Sequence, residues 1–314
     1  MSVKRVSATS LLRLTTALFC AIASDLVAGA EPEFAGPVVA GSLGAPPNNE
    51  ASGLAASRRT PNLLWTHDDS GGAAVLYAVG TDGTLRGRLQ LKGVQQNDWE
   101  DLATTELDGR PWIVVGDIGD NEARRKHVSL HFVAEPTAAA LAAGGQLAER
   151  PAFTLKITYE DGPRDCEAIA VDGTERAIYF LTKRNAPPRL YRVALPSPLA
   201  GGEFMAKLVG TTPHLAKVSA SQGFFGNFLS QRLAMPCAMD FAPDGSAAVV
   251  VTYGETLLFP RRAGESWAAA LAREPVRLAP HGLPQAEAAC FSRDGAAIFV
   301  ASEETRQLLR YDRR

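Results

Sequence analysis

Three short phrases of this 314-residue chain crowd carboxylates into nearly the same frame: DWEDLA at 98–103, DCEAIA at 165–170 and QAEAACF at 285–291. They set Glu100, Glu167 and Glu287 in one column, with Asp98, Asp101 and Asp165 beside them. Further oxygen donors come from HDDSGG (Asp68, Asp69), GDIGDN (Asp117, Asp120, Asn121), VTYGE (Tyr253) and ASEE (Glu303). Carboxylates brought together repel one another, which raises their pKa values unless a cation neutralises them. Carboxylates with an amide suit Ca2+ best and Mg2+ less well, because Ca2+ accepts about 6–8 loosely arranged oxygens. Glu100, Asp117, Glu167, Glu287, Asp69, Asp120 and Asn121 are therefore the candidate ligands. Zinc is disfavoured, since His67, His127, His131, His214 and His281 show no paired ligand spacing.

Lys183, in LTKR, could stabilise an anionic substrate or transition state, and Asp68 and His67 could do acid–base work. An exposed loop histidine is the plainer reading of His67. Trp99, Tyr253 and Glu303 are candidates to contact a ligand, with packing between structural units as the competing role for Trp99. Any one of these acids alone reads as a solvated turn or a strand cap. It is the shared register that asks for a common purpose. The chain has no Gly-x-Ser-x-Gly elbow and no phosphate-cradling glycine loop.

The elements that must hold these residues repeat with them. Glu167 precedes Ile178 of AIYFLTK by eleven residues, Glu287 precedes Ile298 of AIFVASE by eleven, and Cys237 precedes Ala248 of AAVVVTY by eleven. Each frame holds a short apolar strand, an Asp-Gly turn (Asp172-Gly173, Asp244-Gly245, Asp294-Gly295) and a β-rich strand, which is a hairpin signal. Setting Leu54, Leu102 and Ile169 in one column gives five inner-strand starts, near Ser52, Glu100, Glu167, Cys237 and Glu287.

Short strands repeating at such intervals predict an all-β propeller of five blades. Six blades stay open, because 216–234 is a long unassigned piece. AVLYAVG, GRLQLKG, VSLHFVAE, FTLKITY, RLYRVAL and EFMAKLV supply third and fourth strands, and AAALAAGGQLAE at 138–149 reads as a short helix or Ala-rich loop. The last unit has three strands, and FAGPVVAG at 34–41 is suited to complete it and close the ring. In a propeller the start of each inner strand and the end of the next strand lie at one mouth of the central channel. The acids are thereby expected on one rim.

Bulk properties bound the partners. A formal charge of −2 and short basic clusters leave no footprint of nucleic-acid binding. Lys4 and Arg5 precede a brief apolar run, followed by small residues at Ala21-Ile22-Ala23 and Ala28-Gly29-Ala30, which reads as a signal peptide over 1–30. The mature chain, 31–314, is then expected to be one exported domain with no membrane span, periplasmic or extracellular, and monomeric. Beyond the signal, Cys166, Cys237 and Cys290 allow one disulfide at most; a Cys166–Cys237 bridge and three small buried strand residues are both compatible with their spacing.

The run SGLAAS, LWTHDDSGG, NDWEDLA, VVGDIGDN, DCEAIAVDG, YFLTKR, QAEAACFSRDG and VASEE, over about 50–310, resembles a family of exported bacterial β-propellers of uncharacterised function. It departs from that pattern at Cys237, where the column otherwise carries Glu, and before Glu287, where a glycine is expected. DDSGG, DWED and VVGDIG in that order are also similar to the early blades of calcium-activated nucleotidases, five-bladed propellers with Ca2+ in the central tunnel. The layout resembles esterase-like phytases and the gluconolactonase group as well. These likenesses imply a calcium site and, more distantly, a metal-dependent hydrolase of phosphate esters or lactones. The alternatives are a non-catalytic propeller that captures a small anionic or sugar-like ligand or an envelope partner, and a ring of acids paired with Lys183, Arg164 and Arg184 for structural reasons alone.

Overall fold

The computed structural model describes residues 33–45, 50–144, 146–215 and 229–314. The expected signal segment, and residues 216–228 of the unassigned piece, lie outside them. Strand β1 (Phe34–Ser42) comes first. The next strands are β2 (Ala51–Ala56), β3 (Leu63–Asp68), β4 (Val75–Gly80) and β5 (Leu85–Leu91), then β6 (Trp99–Leu107), β7 (Arg110–Asp117) and β8 (Val128–Ala134). Helix α1 (Ala138–Gly144) and β9 (Gln146–Glu149) lead to β10 (Phe153–Tyr159). Then come β11 (Cys166–Asp172), β12 (Ala177–Thr182), β13 (Arg189–Ala194) and β14 (Gly202–Thr211). The chain ends with β15 (Pro236–Phe241), β16 (Ala247–Thr252), β17 (Thr256–Pro260), α2 (Trp267–Leu271), β18 (Val276–Arg277), β19 (Ala286–Phe291), β20 (Ala297–Ser302) and β21 (Gln307–Arg313).

Among the described residues these strands pair into sheets of four, eight, four and five strands, in which the inner strands β2, β6, β11, β15 and β19 each head an antiparallel blade. Each inner strand contacts the next, and β19 contacts β2, so the inner strands close a ring. Alanines crowd this ring, with Ala55, Ala103, Ala168, Ala170, Ala238, Ala288 and Ala289 all buried, and small side chains let the strands converge. Among the described residues the apolar core falls into five clusters, each spanning two neighbouring blades: one holds Trp65 and Ile113, the others Val114 and Phe180, Tyr179 and Phe241, Val249 and Val300, and Leu64 and Phe299. The protein is thus a β-propeller.

Strand β1 pairs antiparallel with β21 and completes the last blade, so the N-terminal segment removes that blade's open edge as expected. Two parallel pairings stitch blades at their outer edges, β10 with β14 and β5 with β9. The Ala-rich stretch is both a helix, α1, and a strand, β9.

The column of acids has a backbone cause. Every inner strand breaks register with its partner at one residue near its start, and those residues are Gly53, Glu100, Glu167, Cys237 and Glu287. Such a bulge inserts one unpaired residue and re-aims its side chain. The first blade is therefore one residue out of the frame drawn from Leu54, because Gly53 is the counterpart of Glu100. Gly53 sits at φ +70, and a Cβ there would press on His67 Nε2 and Leu102 at 2.8–2.9 Å. That blade contributes no column side chain.

Candidate functional site: an acidic channel mouth

Asp69, Asp98 and Glu100 form the tightest acidic group among the described residues. One carboxylate oxygen from each lies within 4.8 Å of the others. Local backbone holds them there: Trp99 N–H donates to Asp69 O at 3.0 Å, and the N–H groups of Ile118 and Gly119 donate to Asp98 O at 3.1 and 3.2 Å. Gly119 is pressed against the pair so closely that any Cβ at that position would collide with Glu100 Oε1 and Asp98 Oδ2. The donors the group offers are carboxylate oxygens, a hard donor set that fits Ca2+ chemistry.

Burial and mutual repulsion distort these acids. Asp69 is pushed up to about 7, by burial first and then by Asp98, Glu167, Glu287 and Glu50. Burial also raises Asp98, opposed by Arg125. Glu100 stands well above its usual range, through burial and its contact with Glu167, to which it is hydrogen-bonded. Two carboxyl groups bonded to each other must share a proton. Glu303 rises to about 8 through burial and its neighbour Glu287, while its Oε2 accepts from Gln285 Nε2 at 2.8 Å.

The other side of the mouth is compensated. Lys183, only 10% exposed, places Nζ 3.0 Å from Glu167 Oε2 and 5.1 Å from the centre of the Tyr253 ring. Burial works against its charge, but Glu167, Cys237, Glu287 and Tyr253 outweigh it, and its pKa is raised. Tyr253 O–H donates to Glu287 Oε1 at 2.5 Å. Cys237 stands in the column here, and the three cysteines among the described residues, Cys166, Cys237 and Cys290, are buried thiols with no bridge between them.

Several expected ligands are engaged elsewhere. Asp117 pairs with Arg125 at 2.7 Å and accepts from Asn97 Nδ2 at 2.7 Å. Both oxygens of Asp120 accept backbone N–H groups, from Arg124 and Arg125, at 2.8 Å, which closes the GDIGDN loop on itself. Asn121 is exposed and accepts from Arg184. The loop is thus a strut between the second and third blades, where Asp120 N–H also meets Asp165 Oδ1 at 3.0 Å.

His67 and Trp99 are both fully buried, with ring centres 5.5 Å apart edge to face, so Trp99 offers no stacking wall and His67 meets no solvent. Burial drops His67 to about 4, which keeps it neutral. Asp68 is buried as well, and its charge is felt at Tyr77 in β4. Asp98 and Gly119 are the members that sequence reasoning left out of the ligand set, although Asp98 stood in the repeated phrase.

Fold and site together define a β-propeller with an acidic channel mouth. No protein-family profile matches the chain, and no curated protein matches it. Among solved structures it is similar to a mitotic checkpoint complex, at 10% identity over 83% of this chain and 62% of that one, with a TM-score of 0.37. It is also similar to the Pan2 WD40 domain of Neurospora crassa, at 9% identity over 84% and 63%, with a TM-score of 0.35. A third is the PQQ-bound aldose sugar dehydrogenase of Streptomyces coelicolor, at 11% identity over 90% and 99%, with a TM-score of 0.43. The chain spans less than two thirds of the first two. These likenesses carry no argument about activity, and the architecture rests on the strand pairing described above.

Proposed function

We propose that the chain is an exported propeller that binds one divalent cation, Ca2+ in preference to Mg2+, at its acidic mouth and acts as a metal-dependent hydrolase of phosphate esters or lactones. The observation that carries this reading is the crowded trio Asp69, Asp98 and Glu100, whose burial and mutual charge outweigh the opposing guanidinium of Arg125. Oxygens within 4.8 Å of one another can share an ion whose bonds are about 2.3–2.6 Å long. Such an ion supplies polarisation of a phosphoryl or carbonyl oxygen and a lowered pKa for bound water.

The chain's own groups divide the remaining work. Asp69, Asp98 and Glu100 hold the cation. Glu167, bonded to Glu100 and paired with Lys183, is placed to accept or return a proton beside them. Tyr253 and Glu303 polarise the far rim. A non-catalytic propeller that captures a sugar-like ligand or an envelope partner is the second reading. It is favoured by the commitment of Lys183 to Glu167, which leaves that ammonium less available to a substrate.

Calorimetric titration of Ca2+ into the mature chain, with melts in Ca2+ and in chelator, is the test. About one ion per chain with a raised melting temperature supports the site and justifies assaying phosphate esters and lactones. An absence of binding removes the metal-dependent hydrolase. Binding without turnover leaves the capture reading.

A further inference from the structure

The end of the channel remote from these acids opens into a second concavity of about 850 Å3, formed where the inner hairpins turn. Its chemistry is of the opposite kind. Arg58, just beyond β2, sends Nε and Nη2 to Thr104 O in β6 at 3.3 and 3.2 Å, while its charge is felt at Asp240 in β15 and Cys290 in β19. Its guanidinium therefore lies among the converging inner strands, as a floor to the concavity. Arg262 and Arg293 stand on the wall, both exposed; among the described residues neither forms a salt bridge, though the charge of Arg262 is felt at Glu265.

The acids of this concavity are for the most part spoken for. Arg261, stacked 4.2 Å over Trp267, binds Asp172 Oδ2 at 3.0 Å and Glu175 Oε1 at 2.5 Å. Asp172 also accepts from Trp267 Nε1 and Glu175 N–H, and Glu175 Oε2 accepts from Tyr179 O–H. Asp244 Oδ1 accepts from the N–H and hydroxyl of Ser246. What remains for a ligand is Nη1 of Arg58, the head of Arg262, Nε and Nη2 of Arg293, whose Nη1 donates to Arg59 O at 3.4 Å, and one exposed carboxylate with no bond of its own, Glu106.

We infer that this concavity is a second binding site, for a carbohydrate that carries a phosphate or carboxylate group. Guanidinium forks match such anions in geometry and bind them with charge-assisted hydrogen bonds. The volume falls within the range of small-ligand sites, about 300–1,000 Å3. Glu106 has acceptor oxygens for the hydroxyl groups of the ring, and the rigid Arg261–Trp267 pair, with Trp267 stacked 3.7 Å from Phe241, fixes the wall.

The test titrates inorganic phosphate, glucose 6-phosphate and glucuronate into the full chain in chelator, so that no metal at the acidic mouth can bridge an anion. Saturable millimolar or tighter binding of either sugar is expected. The variant Arg262→Met with Arg293→Met, both at exposed positions, should weaken it about tenfold or more, the worth of a charge-assisted hydrogen bond. Glu106→Gln should weaken the sugar and spare inorganic phosphate. The preferred sugar tells phosphate from carboxylate. No saturable binding of either sugar, or equal binding by the double variant at an unchanged melting temperature, overturns the inference. Arg58→Met, whose loss could disturb folding, is read only beside these.

Discussion

The two halves of the acidic mouth solve the same electrostatic problem differently. On one side Glu167 meets an ammonium at 3.0 Å and Glu287 meets a phenol at 2.5 Å. On the other, Asp69, Asp98 and Glu100 crowd together, with Glu100 bonded to Glu167 and Asp98 only partly eased by Arg125, and Asp69 is held near 7. The divide falls at the fourth blade, where the bulge carries Cys237 instead of Glu. The shorter, uncharged thiol lies against Lys183, so the ammonium occupies ground that a fourth carboxylate would have made a cation site. Lys183 is thereby the internal counter-ion of one half, and the other half is left to an external one. The difference teaches that a ring of equivalent positions need not make a ring of equivalent ligands.

The largest expected effect breaks the compensated half. Lys183→Met leaves Glu167 buried without its partner, and removing one member of a buried pair costs about 3–5 kcal/mol. In chelator the variant should melt well below the parent, and added Ca2+ should restore most of the loss by occupying the lysine's place. A variant as stable as the parent in chelator would mean that the pair carries little. The next effect strikes the crowded half. Asp98→Asn removes one charge from the trio and should weaken Ca2+ about a hundredfold, or about 2.7 kcal/mol, by calorimetry. It should leave chelator stability equal or improved, since the deleted charge was repelled by its neighbours. If Asp98→Asn and Asp117→Asn weaken Ca2+ alike, the distinction between trio and strut fails.

Much of this was legible in the sequence, for physical reasons. Inner strands, Asp-Gly turns and the β1 closure repeat with a period that short strands impose, so FTLKITY falls on β10 without a slip. The Glu column was legible because three bulges carry the same residue type. What stayed hidden was geometry with no compositional mark. A bulge adds a residue without naming it, which is why Leu54 drew the first blade one position out of register. The edge strand β9 is four residues beside a helix and pairs in parallel with a distant partner, β5. The role of Asp117 depends on Arg125, eight positions on, folding back to it, and no acidic motif reports that.

The smallest effect concerns pH, and its sign separates the halves once more. Asp69 and Glu303 are raised above their ordinary 3.8 and 4.5 to about 7 and about 8. A carboxyl group raised in the folded state contributes stability at low pH that is lost as pH rises through the folded value. In chelator, this contribution should therefore be lost progressively from about pH 4, where the unfolded acids ionise, to about pH 8, where the folded ones have done so. Buried His67, lowered from 6.5 to about 4, works in the opposite sense: its contribution is present above 6.5 and is lost as pH falls toward 4, with His131 and His281 lowered in the same direction. The carboxylates held low, such as Asp294 under its Ser292 and Ala296 bonds, titrate below this window. Below about pH 6.5 the acids and the histidines oppose each other, but between about 6.5 and 8 only the raised acids titrate, so a melt series in chelator should decline by a few degrees over that alkaline stretch. Ca2+ should shrink that alkaline limb alone, because it neutralises Asp69 and its neighbours and leaves the histidines as they were. An alkaline limb already flat in chelator would show that the acids are not strained, and the two halves of the mouth would then be equivalent.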